Sequence, residues 1–445
     1  MVPMDIDPPE TTAPSLVDLP PTTHDALLEG LPPQDLVTYA KVSKKARQVV
    51  YDFYRRAYRV ERILSRYFSP EEIQRFRILQ HAIGFIISGS SALTLFTRSP
   101  PYPDSDLDVY VDARWCALLL QFLESHGYAY EPIMTASKRQ SEDMYRTLDE
   151  AMNRPQEEEN GHPGFFGSRS EYSTPGIREV FNFVRDGKKI QVVACTATPV
   201  EVILGFHSTV VMCLLCYSHA ICLYPRTTFI DHQTLANYRC HENQDAARQK
   251  YAERGWEVIQ TVDAFRGISQ HSDVNYFDRR HLTDSLCWTI PLDPPLGGDF
   301  VPSELSLGDF DCMDMHSWAV VYHWNGRTPE MIYDRLNVKE LGKSFCLVPA
   351  VFVEVQRELG QLLQRVGADR ARLKAEFKAL VRKYAHPETS PKEPREVCRR
   401  VLSDVFKLEP EVFPQRDKLP PVRAGSMVWA YMRTLLEKSE LPPKV

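Results

Sequence analysis

The stretch that decides the fold is Phe85-Ile-Ile-Ser-Gly-Ser-Ser-Ala-Leu93, which is followed by Ser105-Asp-Leu-Asp-Val-Tyr-Val111. The pattern predicts an apolar strand, a Gly-Ser turn into a short helix, and a second strand. Residues i and i+2 of a strand point to the same face, so Asp106 and Asp108 are expected to present two carboxylates side by side. The apolar residues that alternate with them are expected to face the core.

These residue types point to phosphate and metal chemistry. Two adjacent carboxylates repel each other unless a cation lies between them, and Mg²⁺ is commonly held by one or two carboxylates together with substrate phosphates. Gly89, Ser90 and Ser91 are expected to begin a helix, where free backbone N–H groups can hold a phosphate. A phosphate-binding turn and a metal-binding carboxylate pair are what nucleotidyl transfer requires. The expected metal ligands are Asp106 and Asp108, with Mg²⁺ or Mn²⁺ as the ion.

The flanking sequence extends this unit on both sides. Phe68-Ser-Pro-Glu-Glu-Ile73 predicts a helix start, with Ser69 as the N-cap and Glu72 completing a capping box. That helix, at about 70–82, leads into the first strand. Downstream, a helix is expected at 114–127, with Gly127 as its C-cap. Its expected buried residues are Leu118, Leu119, Phe122 and Leu123.

A β-hairpin is predicted from Arg178-Glu-Val-Phe-Asn-Phe-Val184 and Lys189-Ile-Gln-Val-Val-Ala194. The dipeptide Asp186-Gly187 between them is a strong signal for a two-residue turn. This turn sets a register in which Asn182 lies opposite Gln191.

The motif at 84–111 resembles the nucleotidyltransferase superfamily with the polymerase-β-like fold. Members of that family show Gly-Ser at the end of one strand and Asp-hydrophobic-Asp on the next. The resemblance covers roughly residues 70–225 and implies a mixed β-sheet flanked by helices. It also implies that Gly89 and Ser90 hold nucleotide phosphates, and that Asp106 and Asp108 bind the divalent metals as catalytic residues.

The family carries a third carboxylate on a later strand, and here Gln191 stands at that position. A neutral amide is a poorer ligand for a hard cation than a carboxylate, and it cannot act as a general base. Asp112 shares the strand face of Asp108 and is expected to be at most a peripheral ligand, while Glu179 and Asp186 are poorly placed. The sequence therefore predicts nucleotide and Mg²⁺ binding and leaves open whether transfer occurs.

Two further groups of residues are candidate ligand sites. Lys188, Lys189 and Arg98 are candidate phosphate contacts, with solvated surface as the alternative. A second group is spaced by threes, as in some zinc sites: Cys213, Cys216, His219 and Cys222. On a helix these side chains would point in different directions over about 13 Å, so buried cysteines in an apolar helix are expected instead. The apolar segment at 209–224 that carries them reads as helix or strand.

The segment at 19–50 resembles an F-box, through a Leu-Pro opening, a Leu-Pro-Pro-Gln-Asp-Leu middle and a Val-Ser-Lys-Lys-Ala-Arg end. This resemblance implies docking to a Skp-type adaptor of a cullin ubiquitin ligase. A plain helical cap on the next domain is the alternative. The whole layout resembles uncharacterised fungal proteins with such a head. A non-enzymatic F-box-type adaptor that uses the degenerate core for target binding is therefore the alternative function.

Composition sets the class of protein. The chain has 445 residues, a formal net charge of −6 and ten cysteines without framework spacing. The negative charge argues against a general nucleic-acid coat protein, and no apolar stretch predicts a membrane span. No secretory signal opens the sequence. Reduced cysteines and a cytoplasmic or nuclear location are expected.

The expected fold class is α/β (α+β), a mixed-sheet core between an N-terminal helical head and a C-terminal helical region. The expected divisions are a disordered tail at 1–17, the F-box-like segment at 18–68, the nucleotidyltransferase-like core at 69–275 with a mobile insertion at 153–176, added strands and loops at 276–348, and helices at 349–445. In the last region, helices are expected at 350–384, 393–408 and 424–438.

Overall fold

The structure is a computed structural model. It describes residues 17, 19–103, 105–135, 138–154, 176–237, 245–261, 273–274, 279–293, 313–322, 329–367 and 369–385. The tail before residue 17, nearly all of the insertion expected at 153–176, and the helices expected at 393–408 and 424–438 lie outside the described residues.

The α-helices are α1 Pro21–Glu29, α2 Pro33–Val42, α3 Lys44–Ala57, α4 Glu61–Leu64, α5 Pro70–Ile83, α6 Gly89–Thr97, α7 Cys116–Ser125, α8 Met144–Asn153, α9 Pro199–Leu204, α10 Pro225–Phe229, α11 Asp245–Glu253, α12 Pro349–Val366 and α13 Arg370–Ala385. The strands are β1 Ile86–Ser88, β2 Leu107–Asp112, β3 Ala129–Glu131, β4 Ile177–Arg185, β5 Lys188–Cys195, β6 Cys213–Leu215, β7 His219–Cys222, β8 Gln233–Leu235, β9 Glu257–Ile259, β10 Arg279–His281, β11 Trp288–Pro291, β12 Ser317–Tyr322, β13 Pro329–Ile332, β14 Asp334–Val338 and β15 Lys343–Leu347.

The main sheet has the strand order β11-β7-β6-β1-β2-β5-β4-β3. Its central pair β2–β5 is parallel, and the neighbouring pairs are antiparallel. The fold is therefore a mixed α/β fold with a mixed sheet, as expected. Smaller sheets form from β10-β12-β13, β14-β15 and β8-β9. No helix among the residues with described positions is long and apolar enough to cross a membrane.

The predicted strand–helix–strand unit is present as β1, α6 and β2. The helix before it begins where its sequence signal predicts: the Ser69 hydroxyl accepts the Glu72 N–H, and the Glu72 carboxylate accepts the Ser69 N–H. It ends at Gly84, whose φ of 71° no bulky residue adopts without strain. β1 begins two residues later, at Ile86.

The predicted hairpin is also confirmed, including its register. Asp186 and Gly187 both have positive φ, 50° and 69°, which is the conformation of a tight hairpin turn. Asn182 pairs with Gln191 across β4 and β5.

Each face of the main sheet packs against its own apolar layer. On one face, Leu107 and Val109 join a cluster that includes Phe76, Phe96 and Leu119 from the flanking helices. On the other face lies a second cluster, formed with residues from α9 and β12: Ile86, Tyr110, Val193, Ile203 and Trp318. Asp108 lies on the face of this second cluster, at the end of the sheet where the apolar packing stops.

The head packs into the first cluster, through residues such as Leu36 and Phe53. Arg98 holds it there, because its guanidinium donates to the carbonyl oxygens of Leu28 and Leu31 at 3.1 and 2.6 Å. The same group lies over the ring of Phe53 at 5.5 Å. The prediction of Arg98 as a phosphate contact is therefore wrong, since its charge is used to join head and core.

Three local expectations are corrected. The apolar segment at 209–224 forms the antiparallel strands β6 and β7 after a short 3-10 helix, so its cysteines are buried as expected but not on a helix. Leu118 is exposed, and Leu120 takes its place in the core. The helix expected at 350–384 is broken into α12 and α13, because Gly367 has a φ of 64°.

Candidate functional site

A row of four polar residues crosses four adjacent strands of the main sheet. Ser88 pairs with Asp108, Asp108 with Gln191, and Gln191 with Asn182. Paired residues of neighbouring strands point to the same face. The row therefore joins the end of the Gly-Ser strand to the aspartate strand and to the predicted third-acid position. The next row inward is Ile86, Tyr110, Val193 and Val180.

The Asp108 carboxylate lies directly against Gly89. A Cβ atom built on Gly89 would collide with Oδ2 of Asp108, and the φ of Gly89 is +70°. Glycine is thus required here both by backbone conformation and by space. Because α6 begins at Gly89, the free N–H groups of its first turn lie next to this carboxylate.

The hydroxyl groups of this turn hold the site together. The Ser88 hydroxyl donates to the carbonyl oxygen of Cys213 at 2.6 Å, which ties the turn to β6. The Ser91 hydroxyl donates to the backbone carbonyl of Asp106 at 2.9 Å. Ser90 is almost fully buried. Ser91 therefore positions the aspartate loop through its side chain.

Asp106 lies just before β2 and is more open to solvent than the row behind it. The Lys189 ammonium group is 3.2 Å from its Oδ2. Both side chains are about one-third exposed, at 36% for Lys189 and 37% for Asp106. Of the basic residues that the sequence offered as phosphate contacts, Lys189 reaches the site, whereas alternation along β5 directs Lys188 to the opposite face.

Burial raises the pKa of Asp108 to about 7, and the negative charge of Asp106 contributes to the rise. The positive charges of Lys189 and Lys250 act in the opposite direction. A carboxylate that keeps its proton near neutral pH is one that lacks a sufficient counter-charge. A positive charge placed against Asp108 would stabilise its ionised form.

Gln191 lies at the position where the sequence motif leads one to expect a third acid, and it pairs with Asn182 as the hairpin register predicts. Gln191 lies beside Asp108, and its side-chain amide donates to Oδ1 of Asn182 at 3.1 Å. Asp112 is held elsewhere, because it accepts bonds from the backbone and guanidinium of Arg114. It is not a peripheral ligand in this arrangement.

The two other acids considered from the sequence, Glu179 and Asp186, also have other structural roles. Glu179 is buried and pairs with Lys138 and with Arg154. Asp186 forms the hairpin turn. Among the residues whose positions are described, no group of three or more His, Cys, Asp or Glu side chains is arranged to hold a metal ion. Asp106 and Asp108 are the two carboxylates here that could hold a divalent cation, with phosphate and water as its remaining ligands.

A basic and aromatic wall, which sequence reasoning missed, is formed by α11, the residue that follows it and Tyr102. The guanidinium of Arg254 stacks over the ring of Tyr102 at 3.5 Å and lies 5.1 Å from the ring of Tyr251. Burial raises the pKa of Tyr251, the charge of Arg254 opposes this rise, and the charge of Asp108 contributes to it. Lys250 belongs to the same helix.

Arg254 differs from the nearby Arg248 in having hydrogen-bonding capacity to spare. Its Nη1 is buried and has no hydrogen-bond partner within the described part of the chain. Arg248 instead donates to the carbonyls of His207 and Asn237 and pairs with Asp245. No local pattern in the sequence indicates this wall, because it depends on the tertiary packing that brings Arg254 to Tyr102.

The cysteine group does not form a metal site. Cys213 and Cys222 face each other across β6 and β7, whereas Cys216 lies in the turn and accepts the backbone N–H of His219. The cysteines at these positions are free and buried, as expected.

Comparison of the chain with models of protein families, with curated proteins and with solved structures gives no match.

Proposed function

We propose that this chain is a nucleotidyltransferase-fold protein. It binds a nucleotide together with one divalent cation at the site formed by the Gly89 turn, Asp106 and Asp108. The observation that carries the proposal is the row Ser88–Asp108–Gln191 with Gly89 pressed against the Asp108 carboxylate. The first turn of α6 thereby lies against the Asp108 carboxylate. This is the juxtaposition that the sequence motif predicts.

The phosphate side of the proposal rests on positive charge that surrounds the site. The first turn of α6 supplies free backbone N–H groups. Arg254 supplies a guanidinium N–H that has no partner among the described residues, and Lys250 and Lys189 add charges that act on Asp108. An anionic ligand is favoured by each of these groups, while Tyr102 keeps Arg254 in place.

The cation side rests on Asp106 and Asp108. A Mg²⁺ or Mn²⁺ ion held by these carboxylates would neutralise the phosphate charge. The protein's own groups bind and orient the ligands. The Ser91 hydroxyl holds the backbone of Asp106, and the absence of a side chain at Gly89 leaves room for the Asp108 carboxylate. Efficient transfer is not part of the proposal, because Gln191 and its partner Asn182 supply no base for an attacking hydroxyl.

Calorimetric titration of the full chain with nucleotides in the presence of Mg²⁺ tests this function. Binding in the micromolar to millimolar range is expected, and the double variant Asp106→Ala with Asp108→Ala is expected to lose it. A parallel assay with labelled nucleoside triphosphates and Mn²⁺ measures transfer, which is expected to be slow or absent. Binding that is equal in the double variant would contradict the proposal.

A second candidate function is adaptor binding by the F-box-like head. It is favoured by one observation on α1, α2 and α3. Of the ten large hydrophobic residues that are exposed among those described, four lie on these helices: Leu27, Val37, Val42 and Tyr51. Such residues are available to an apolar partner surface.

A pull-down with a purified Skp-type adaptor tests this second function. Val37→Asp together with Val42→Asp is expected to abolish capture, while Val353→Asp on α12, which is similarly exposed and apolar, is expected to leave it unchanged. Capture that is absent from the unmodified chain would exclude the adaptor function.

A further inference from the structure

Lys189 lies beside Asp106, on the same sheet face as the polar row of the site. In the parallel pair β2–β5, Ile190 lies beside Leu107, so the residues before them, Lys189 and Asp106, are also adjacent. The ion pair of 3.2 Å between these side chains follows from that register. Lys189 also shares the sheet face of Gln191, because the two residues are separated by two positions.

The Lys189 ammonium group therefore lies where a cation is otherwise needed. Two carboxylates on one face repel each other, and the Lys189 ammonium group lies 3.2 Å from Oδ2 of one of them, Asp106. Beyond Asp108 the polar row contributes only Gln191 and Asn182, which are neutral amides that hydrogen-bond to each other.

We infer that Lys189 is the resident cation of this site: its ammonium group neutralises Asp106 in the free protein and leaves Asp106 when a divalent cation binds. The inference rests on the proposed function for its ligand class, a divalent cation with a phosphate. A displaced Lys189 remains at the mouth of the site, where it contacts phosphate oxygens. Cation and nucleotide binding are then coupled through one side chain.

The pair is partly exposed, so its strength is modest. An exposed ion pair contributes little to stability, and removing the positive charge also removes its repulsion of an incoming cation. Lys189→Met is therefore expected to bind Mn²⁺ alone about three- to tenfold more tightly than the unmodified chain. The same change is expected to weaken binding of metal-free ATP.

Mn²⁺ binding without nucleotide is measured by electron paramagnetic resonance of the free ion. Lys188→Met is the matched control, since it removes the same charge from the adjacent residue on the opposite face. Lys189→Arg keeps the charge and is expected to bind Mn²⁺ like the unmodified chain. In an Asp106→Asn background, the effect of Lys189→Met is expected to shrink, because its partner is gone.

Equal Mn²⁺ affinity in Lys189→Met and Lys188→Met would overturn the inference. If nucleotide binding still depends on Asp106 and Asp108 in that case, the proposed function stands and only the role of Lys189 fails. If Lys189→Met tightens Mn²⁺ binding in a chain that binds no nucleotide, the nucleotide function fails and the role of Lys189 toward the cation stands.

Discussion

Asp108 fills the space that a side chain at Gly89 would need. Oδ2 of Asp108 would collide with a Cβ atom at residue 89, and Gly89 has a φ of +70°. The Gly-Ser turn and the aspartate strand are thus matched to each other at atomic contact. Several measurable properties follow from this relationship and from the charges around it.

Gly89→Ala is expected to destabilise the fold more than a positive φ alone explains. Left-handed backbone costs a residue with a Cβ about 1–2 kcal/mol, and the collision with Asp108 adds to that. Gly187→Ala is the matched control, because Gly187 has a φ of +69° and a Cβ atom at this residue would meet nothing within 4 Å among the described residues. Urea unfolding of both variants measures the difference, which is expected to be at least about 1 kcal/mol.

Shortening Asp108 is expected to relieve that excess. In a double-mutant cycle, Gly89→Ala combined with Asp108→Ala should be less destabilised than the sum of the single changes. Additive effects would show that the contact between the two residues has no energetic weight.

The free energy of unfolding is expected to depend on pH through Asp108. Its pKa is about 7 in the folded chain and 3.8 in its ordinary state, so the folded protein binds an additional proton between these values. Stability from this group therefore falls as the pH rises from about 4 to about 7 and is constant above. Asp108→Asn removes this dependence and is expected to be more stable than the unmodified chain at pH 8 by about 1–3 kcal/mol, with the difference vanishing near pH 4. Urea unfolding curves across this range check the slope, and parallel curves for the two proteins would contradict it.

Gln191→Glu is expected to restore a third carboxylate beside Asp108. Without metal, the added charge should lower stability at pH 8, because three acids then face one another. With Mn²⁺, stability should recover and the ion should bind about tenfold more tightly. Asn182→Asp adds the same charge one strand farther away and is expected to have a smaller effect on Mn²⁺ affinity.

Arg254→Met is expected to weaken nucleotide binding about tenfold or more, since a charged hydrogen bond to phosphate contributes about 1.5–3 kcal/mol. Arg248→Met removes the same charge from the same segment, but Arg248 is already bonded to His207 and Asn237. It is expected to change affinity less than about threefold. Calorimetry of both variants compares them, and equal losses would indicate only a general effect of charge.

Arg98→Met is expected to loosen the head from the core. The change removes the donors to the carbonyls of Leu28 and Leu31 and should cost about 2–3 kcal/mol. Hydrogen exchange at residues 21–57 is expected to speed up. Arg98→Lys retains the charge without the planar fork and should recover only part of the protection.

Local sequence signals predicted the framework of the site well. The capping box at Ser69 and Glu72, the turn at Asp186-Gly187 and the alternation around Asp108 depend on contacts between residues near each other in the chain. The hairpin turn alone set the pairing of Asn182 with Gln191. Signals of this kind are readable because a turn or a cap has few alternative conformations.

Longer-range features are harder to predict, because the residues that decide them are distant in the sequence. The segment at 209–224 is apolar throughout, so its periodicity does not distinguish helix from strand. Arg98 resembles a phosphate ligand in the sequence because its charge is visible there, while the carbonyls of Leu28 and Leu31 that accept its hydrogen bonds are not.

The sequence by itself determined the two ends of the candidate site, the Gly89-Ser90 turn and the Asp106–Asp108 pair, because both lie in one local unit. Only the tertiary structure decided what surrounds them. The parallel pairing of β2 with β5 brings Lys189 to Asp106, and the packing of α11 brings Arg254 to the wall of the site. These approaches join residues about 80 to 150 positions apart, and no local pattern encodes contacts that depend on the packing of the whole sheet.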